Sequence, residues 1–228
     1  MRMLSPREAR ALDAAAAHLA SAARRYDPTA AFAPTSLVAL GRIEYDLPLS
    51  TELMYWYHTQ APAHEMVVPH RNGALRMYAP TDILARQSGL RWRSLPGGGP
   101  GRLYDDWPST WVAVGDIAGA PIIAEVGVSA TPVGLARRSA DTWSAALLAP
   151  NLATYLEALA RWLEVVVSAT GARGAADVAR VGAVAWRAGD GFAPEMASAL
   201  ARALAPVIPS EALAVWLSPE TAGNGGSR

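Results

Sequence analysis

The sequence predicts an α+β fold, a mainly antiparallel sheet flanked by helices, with a small strand–helix–strand appendage towards its C-terminal end. Three observations carry this prediction. Apolar residues recur at helical spacing over residues 9–23 and again over 152–166. Between them the period shortens to that of strands. The strand-like runs in the middle follow one another across short turns, the arrangement of an antiparallel meander rather than of a sheet with long crossovers.

Taken in order, the first helix is signalled by Ser5, Pro6 and Glu8, an N-cap, a proline at the first helical position and the acid of a capping box. Leu12, Ala16, Leu19 and Ala23 form its stripe, Arg24 and Arg25 suit its last turn, and Asp27-Pro28 ends it. A loop containing Pro34 follows. A second, short helix is expected over 50–60, with Leu53, Met54, Trp56 and Tyr57. Val67-Val68, the turn Asn72-Gly73 and residues 74–78 read as strand, tight turn and strand. Thr81-Asp82 opens a short helical stretch to Gln87, and residues 95–102 make an irregular glycine-rich loop. Three more strands are expected at 111–117, 121–128 and 132–136, with Gly119 and Ser129 in the turns. Asn151 then caps the most strongly patterned helix, whose stripe is Leu152, Tyr155, Leu156, Leu159, Trp162, Leu163 and Val166, with Glu157 and Arg161 paired at i,i+4.

Gly171 to Gly174 reads as a linker, and the remainder as strand 181–186, helix 194–205 and strand 212–217. The chain therefore divides into an α+β domain at 1–170, a small module at 171–220 and a disordered tail at 221–228.

Composition restricts the function. The 228 residues include 20 basic and 20 acidic side chains, every basic one an arginine, so the formal charge is zero. That balance gives neither the basic excess of a nucleic-acid binder nor a polybasic segment for anionic lipid. Cysteine is absent, which removes disulfides and thiolate metal sites. No run of apolar residues is long enough for a membrane span, and the first residues lack the pattern of a secretory signal, so a cytoplasmic address is expected.

From residue 47 to about 167, the order of elements resembles the SUKH superfamily, the Smi/Knr-type proteins. Leu47-Pro48 precedes the aromatic helix Glu52-Leu53-Met54-Tyr55-Trp56-Tyr57. Asn72-Gly73 leads through Ala74 to Tyr78 into Ala79-Pro80-Thr81-Asp82-Ile83-Leu84. Residues 111–124 resemble the central hairpin of that family, and Thr131-Pro132-Val133 and Trp143 precede Leu148-Ala149-Pro150-Asn151-Leu152, similar to the opening of its last core helix. The chain departs from the pattern in having one glycine after Asn72, in inserting residues 61–71 after the aromatic helix, and in everything beyond about 170. The resemblance implies an α+β domain without a shared catalytic motif. It implies a protein of immunity type, which binds and neutralises a cognate bacterial toxin by occluding it, without metal or cofactor. A regulatory scaffold, or less readily a hydrolase of unfamiliar site, are the alternatives.

Chemical motifs are sparse. His18, His58, His64 and His70 fall in no metal-binding spacing, and His64-Glu65 lacks the second histidine of a zincin. The glycines at 97–99 have no lysine or helix start with which to hold a phosphate. Asp105-Asp106 with Asp116 and Glu125 offer paired carboxylates for glycosidase-like chemistry, although two aspartates before Trp-Pro also describe a solvated turn. Of the 8 tryptophans, Trp162, Trp186 and Trp216 suit core positions, whereas Trp92, Trp107 and Trp111 flank the glycine-rich loop. Aromatic anchors beside charged groups are the make-up of a protein-binding hot spot. Trp92, Tyr104, Asp105, Asp106, Trp107 and Asp141 are accordingly the candidate partner-binding residues, their acids facing a basic cleft such as that of a nuclease toxin. A toxin acting on another substrate is equally open. Padding of the loop onto the sheet is the structural alternative for the tryptophans.

Overall fold

The protein is described here by a computed structural model covering residues 3–70, 73–94, 100–128, 130–139, 142–171 and 194–217. Asn72, the glycines at 97–99, Ser129, Asp141, the strand expected at 181–186, the linker beyond Gly171 and the tail at 221–228 lie outside the described residues.

Helix α1 (Pro6–Tyr26) begins as predicted. The Ser5 hydroxyl accepts from the Glu8 amide at 3.3 Å, and the Ser5 amide donates to Glu8 Oε2 at 2.8 Å. A short pair, β1 (Phe32–Ala33) with β2 (Ala61–Pro62), brackets two helices, α2 (Leu37–Asp46) and α3 (Thr51–Thr59). Serine caps both: Ser36 accepts from Ala39 and Ser50 from Leu53. Helix α2 stands where the sequence suggests only a loop.

The central sheet contains β3 (Met66–His70), β4 (Gly73–Met77), β7 (Trp111–Ile117), β8 (Ala120–Glu125), β9 (Val133–Ser139) and β10 (Thr142–Ala149). Between β4 and β7 lie α4 (Ile83–Arg86) and the small antiparallel pair β5 (Trp92–Ser94) and β6 (Pro100–Leu103). The sheet order is β10-β9-β8-β7-β4-β3, and every neighbouring pair is antiparallel. The fold is therefore α+β with an antiparallel sheet flanked by helices. Hairpin β7–β8 turns on Ala118 and Gly119, with φ of 51° and 87°, the two positive values that match the right-handed twist of the strands. At the bulge in β7, a Cβ on Gly115 would stand 2.2 Å from the Arg76 carbonyl oxygen, so β4 and β7 approach this closely only because the residue is glycine.

Next to that contact, Asp116 is buried and fully engaged. It accepts from Arg76 Nη1 at 3.3 Å, from the Tyr78 hydroxyl at 3.0 Å and from the Gly119 amide at 3.0 Å. Burial, then the Asp116 charge, push the Tyr78 phenol well above its usual range.

Helix α5 (Leu152–Thr170) starts on Asn151, whose side chain accepts from the Thr154 amide at 2.8 Å. It is followed by α6 (Pro194–Leu204) and α7 (Ser210–Leu217). The strand expected at 212–217 is thus a helix. Its unbroken run of apolar residues fits a short strand equally well, but burial falls on Ala212 and Trp216, four apart, which is the helical period. Nor do α6 and α7 form a core of their own. Leu200, Leu204, Ile208, Ala212 and Trp216 are buried in the same apolar cluster as Leu19, Leu53, Val112 and Leu159. Two indoles tie helices to the sheet: Trp162 Nε1 donates to the Pro69 carbonyl and Trp216 Nε1 to the Leu148 carbonyl, each at 3.1 Å.

Helices α1 and α5 lie against each other and share a charged seam. His18 Nδ1 stands 2.7 Å from Glu157 and Nε2 3.1 Å from Glu164, so the ring donates to both carboxylates when it is protonated. Arg161 Nε donates to Glu157 at 2.7 Å, and Arg25 pairs with Glu164. Burial alone would lower His18, but the two carboxylates outweigh it and hold the ring above its ordinary value of 6.5. Burial likewise acts to raise Glu157, and His18 with Arg161 overcome it, leaving that carboxyl below 4.5. Among the described residues no helix is long and apolar enough to cross a membrane.

Candidate functional site

The two faces of the sheet are covered differently, and the candidate site lies on the face away from the main core. Val112, Ile122, Ala124, Val133 and Leu135 point into the helical core. Ile123 and Ala136, on the opposite face, are covered by Trp107, with Trp111, Trp143, Tyr104 and Leu90 around them. The segment from α4 to β7 delivers this cover. Gly89 turns the chain with φ of 80°, Arg91 accepts from the Tyr104 amide through its carbonyl at 2.9 Å, and the β5–β6 pair returns the chain so that residues 104–109 cross the sheet.

Trp107 is the centre of an aromatic cluster. Its ring meets Trp111 edge-on at 5.8 Å and Trp143 edge-on at 4.9 Å, the T-shaped geometry that the ring quadrupoles favour. Its Nε1 donates to the Trp111 carbonyl at 3.1 Å, and only 5% of the residue remains exposed. Cations border the cluster: Arg138 lies 5.8 Å over Trp143, its cross-strand partner, and Arg93 lies 5.5 Å over Tyr104.

Arg91 and the run from Leu103 to Ser109 line a cleft of about 450 Å³. Tyr104, Asp105, Asp106 and Trp107 are therefore brought together, as the sequence suggests. Trp92 is not. The pleat of β5 turns it into the main core, 3% exposed, and turns its neighbour Arg93 outward onto Tyr104. Trp92 cannot serve as a contact on this face. Asp141 lies outside the described residues.

The charge of the face also differs from the acidic one expected. Asp106 accepts from Arg138 Nη2 at 2.9 Å, and Asp105 from Arg102 Nη2 at 3.4 Å. With Arg91 and Arg93, four arginines stand against these two aspartates. Asp116, the third acid considered for paired-carboxylate chemistry, is committed to Arg76 and Tyr78 on β4 and its extension, and does not line the cleft.

Arg91 was not singled out in the sequence, and it is the most distinctive group in the cleft. The residue is 7% exposed, its Nη1 donates to the Ser109 carbonyl at 2.8 Å and to the Trp111 carbonyl at 3.4 Å, and its Nε is enclosed without a partner. Burial lowers the pKa of the guanidinium, which nonetheless stays charged. An arginine flanked by Leu90 and Trp92 carries a faint signal of burial in the sequence. Nothing there shows that no acid meets it.

The histidines are dispersed. His58 Nδ1 sits 3.1 Å from the Thr35 carbonyl, His64 borders a small hollow of about 160 Å³ beside Glu65, and His70 stacks on Trp162 at 5.0 Å. Among the described residues no group of three His, Asp or Glu side chains is arranged to hold a metal ion. No protein-family model matches the chain, and no curated protein matches it.

Proposed function

We propose that this chain is a SUKH-like protein of immunity type, a cytoplasmic, non-catalytic binder that neutralises a bacterial toxin by covering its working surface. The observation that carries the reading is the cleft beside Trp107. A rigid aromatic floor, half-exposed Tyr104 and Trp143, and arginine–carboxylate pairs at the rim supply the components from which protein interfaces draw most of their binding energy. The resemblance over residues 47–167 supplies the class of partner.

The paired charges refine the partner surface. A toxin with a uniformly basic cleft would meet arginines as well as aspartates here, so the better match is a mixed surface that exchanges partners with Asp105–Arg102 and Asp106–Arg138. Co-expression with toxin domains encoded beside this gene is the test. A one-to-one complex that protects the cell, and that Asp105→Ala with Asp106→Ala weakens about tenfold or more, supports the reading. If no such toxin is bound or neutralised, the immunity reading fails and a scaffolding role replaces it.

A further inference from the structure

We propose that the cleft at Arg91 is a receptor for a carboxylate, built to take an acidic side chain or a chain-terminal carboxylate from a protein partner. The starting point is an imbalance of charge. A guanidinium held out of water is unfavourable unless an anion or a full set of acceptors compensates it. Arg91 has two acceptors, the carbonyls of Ser109 and Trp111, and both are served by Nη1. No carboxylate among the described residues pairs with it, although Asp105 and Asp106 line the same cleft. The fold directs those two acids outward, to Arg102 and Arg138, and leaves the cation on the cleft wall unneutralised.

The donors that remain define the ligand. With Nη1 occupied and Nε enclosed by the protein, Nη2 is the donor left for a ligand in the cleft. It can give one carboxylate oxygen a charge-assisted hydrogen bond, with the buried positive charge behind it. The surroundings favour one negative charge over two. A phosphate dianion would enter between Asp105 and Asp106 and beside two carbonyl oxygens, whereas a carboxylate needs only the single cation. Tyr104 and Trp107 provide apolar edges for the carbon bearing the carboxylate. The site is large enough for one side chain or one chain end, but not for an extended peptide buried along its length.

This site occupies the proposed partner face, yet it is testable without any partner. The full chain is titrated with sodium acetate at constant ionic strength, following indole fluorescence and the arginine Nε–H resonances by NMR. The expected result is a saturable one-to-one response at millimolar acetate, with the Arg91 Nε–H among the resonances that move. Sodium phosphate gives a weaker response, and chloride gives none. Arg91→Gln lowers acetate affinity about tenfold or more, because a charge-assisted hydrogen-bonded pair is lost. Arg91→Lys, which keeps the charge but cannot hold the Ser109 and Trp111 carbonyls and present a second nitrogen to the cleft at once, also weakens it. Should the glutamine variant fail to fold, the wild-type anion series decides alone.

No saturable response to acetate, an equal response to chloride, or a stronger one to phosphate overturns the proposal. Two tripeptides separate the sources of the carboxylate: one carrying a free C-terminus and no acidic side chain, the other amidated and carrying aspartate. Binding of either supports the site and names its ligand. A protein that takes acetate but no toxin keeps this site and loses the immunity reading. One that neutralises a toxin but ignores acetate loses the site alone.

Discussion

The rings of Trp162 and Trp216 stand 5.5 Å apart, yet each donates its indole N–H to a different edge of the sheet, Trp162 to β3 and Trp216 to β10. Six flat strands would separate those edges by about 24 Å. Two indoles in contact cannot bridge that span, so the sheet is strongly curled and its two edges approach each other beneath α5 and α7. The edge carbonyls they cover would otherwise be open to pairing with another strand.

Removing the bridge should be costly. Trp216→Ala is expected to destabilise the protein by about 3–5 kcal/mol, from lost burial and the cavity left behind. Trp216→Phe keeps most of the apolar area and strands the Leu148 carbonyl, for about 1–3 kcal/mol. Urea unfolding followed by circular dichroism reads both. Equal losses in the two variants would show that the hydrogen bond, not the ring, is what matters.

Truncation after residue 170 follows from the same packing. Helices α6 and α7 contribute buried residues to the one core, so the truncated chain should lose cooperative thermal unfolding and bind hydrophobic dyes. A sharp, native-like transition in the shortened chain would refute this.

Gln87 substitutes for a strand. Its carboxamide accepts from the Ala113 amide at 3.0 Å and donates to the Ala113 carbonyl at 2.8 Å, pairing with β7 beyond the reach of β4. Replacing it with leucine leaves a buried donor and acceptor unmatched and should cost about 2–4 kcal/mol by denaturant titration. The amide proton of Ala113 should exchange much faster in that variant.

The seam between α1 and α5 predicts how stability depends on pH. His18 is raised, so its contribution is complete below the unfolded value near 6.5 and disappears as pH rises through the higher folded value. Glu157 is lowered, so its contribution is complete above 4.5 and disappears as pH falls through the lower folded value. Melting temperature should therefore be highest at mildly acidic pH and decline on the alkaline side. His18→Ala should flatten that alkaline decline. An unchanged slope would mean that the histidine is not charged between its two glutamates.

At the cleft, Trp107→Ala is expected to cost about 3–5 kcal/mol by uncovering Ile123 and Ala136. Asp105→Ala should leave stability within about 0.5 kcal/mol, since the aspartate is 89% exposed and its bond to Arg102 is a surface pair. Calorimetry distinguishes the two.

What could be read from the sequence depended on local chemistry. The Ser5–Glu8 box, the Asn151 cap and the Ala118-Gly119 turn each act over a few residues, and those elements were legible. Helix α2 was not, because Gly41 interrupts it and only Leu40 and Ile43 are buried, too few to make a stripe. Strand β10 was missed because Ser144, Ala145 and Ala146 have little β propensity, and pairing with β9 supplies what they lack. Tyr104 through Trp107 could be grouped because they are contiguous. The pairing of Asp106 with Arg138, and the position of Arg91 above Ser109, depend on contacts 32 and 18 residues apart. No local pattern encodes them.

The seam that joins His18 to Glu157 also sets a timetable for the chain during its synthesis. The two residues are separated by 139 positions, a wait of roughly 7–28 s at ordinary elongation rates. For that interval α1, with its apolar side complete, has no α5 to lie against, while the hairpins from β7 to β10 can already close on their neighbours. The nascent chain is then most exposed to chaperones and to misassembly through its earliest helix, and slowing the ribosome between residues 26 and 152 should lower the yield of native protein more than slowing it afterwards.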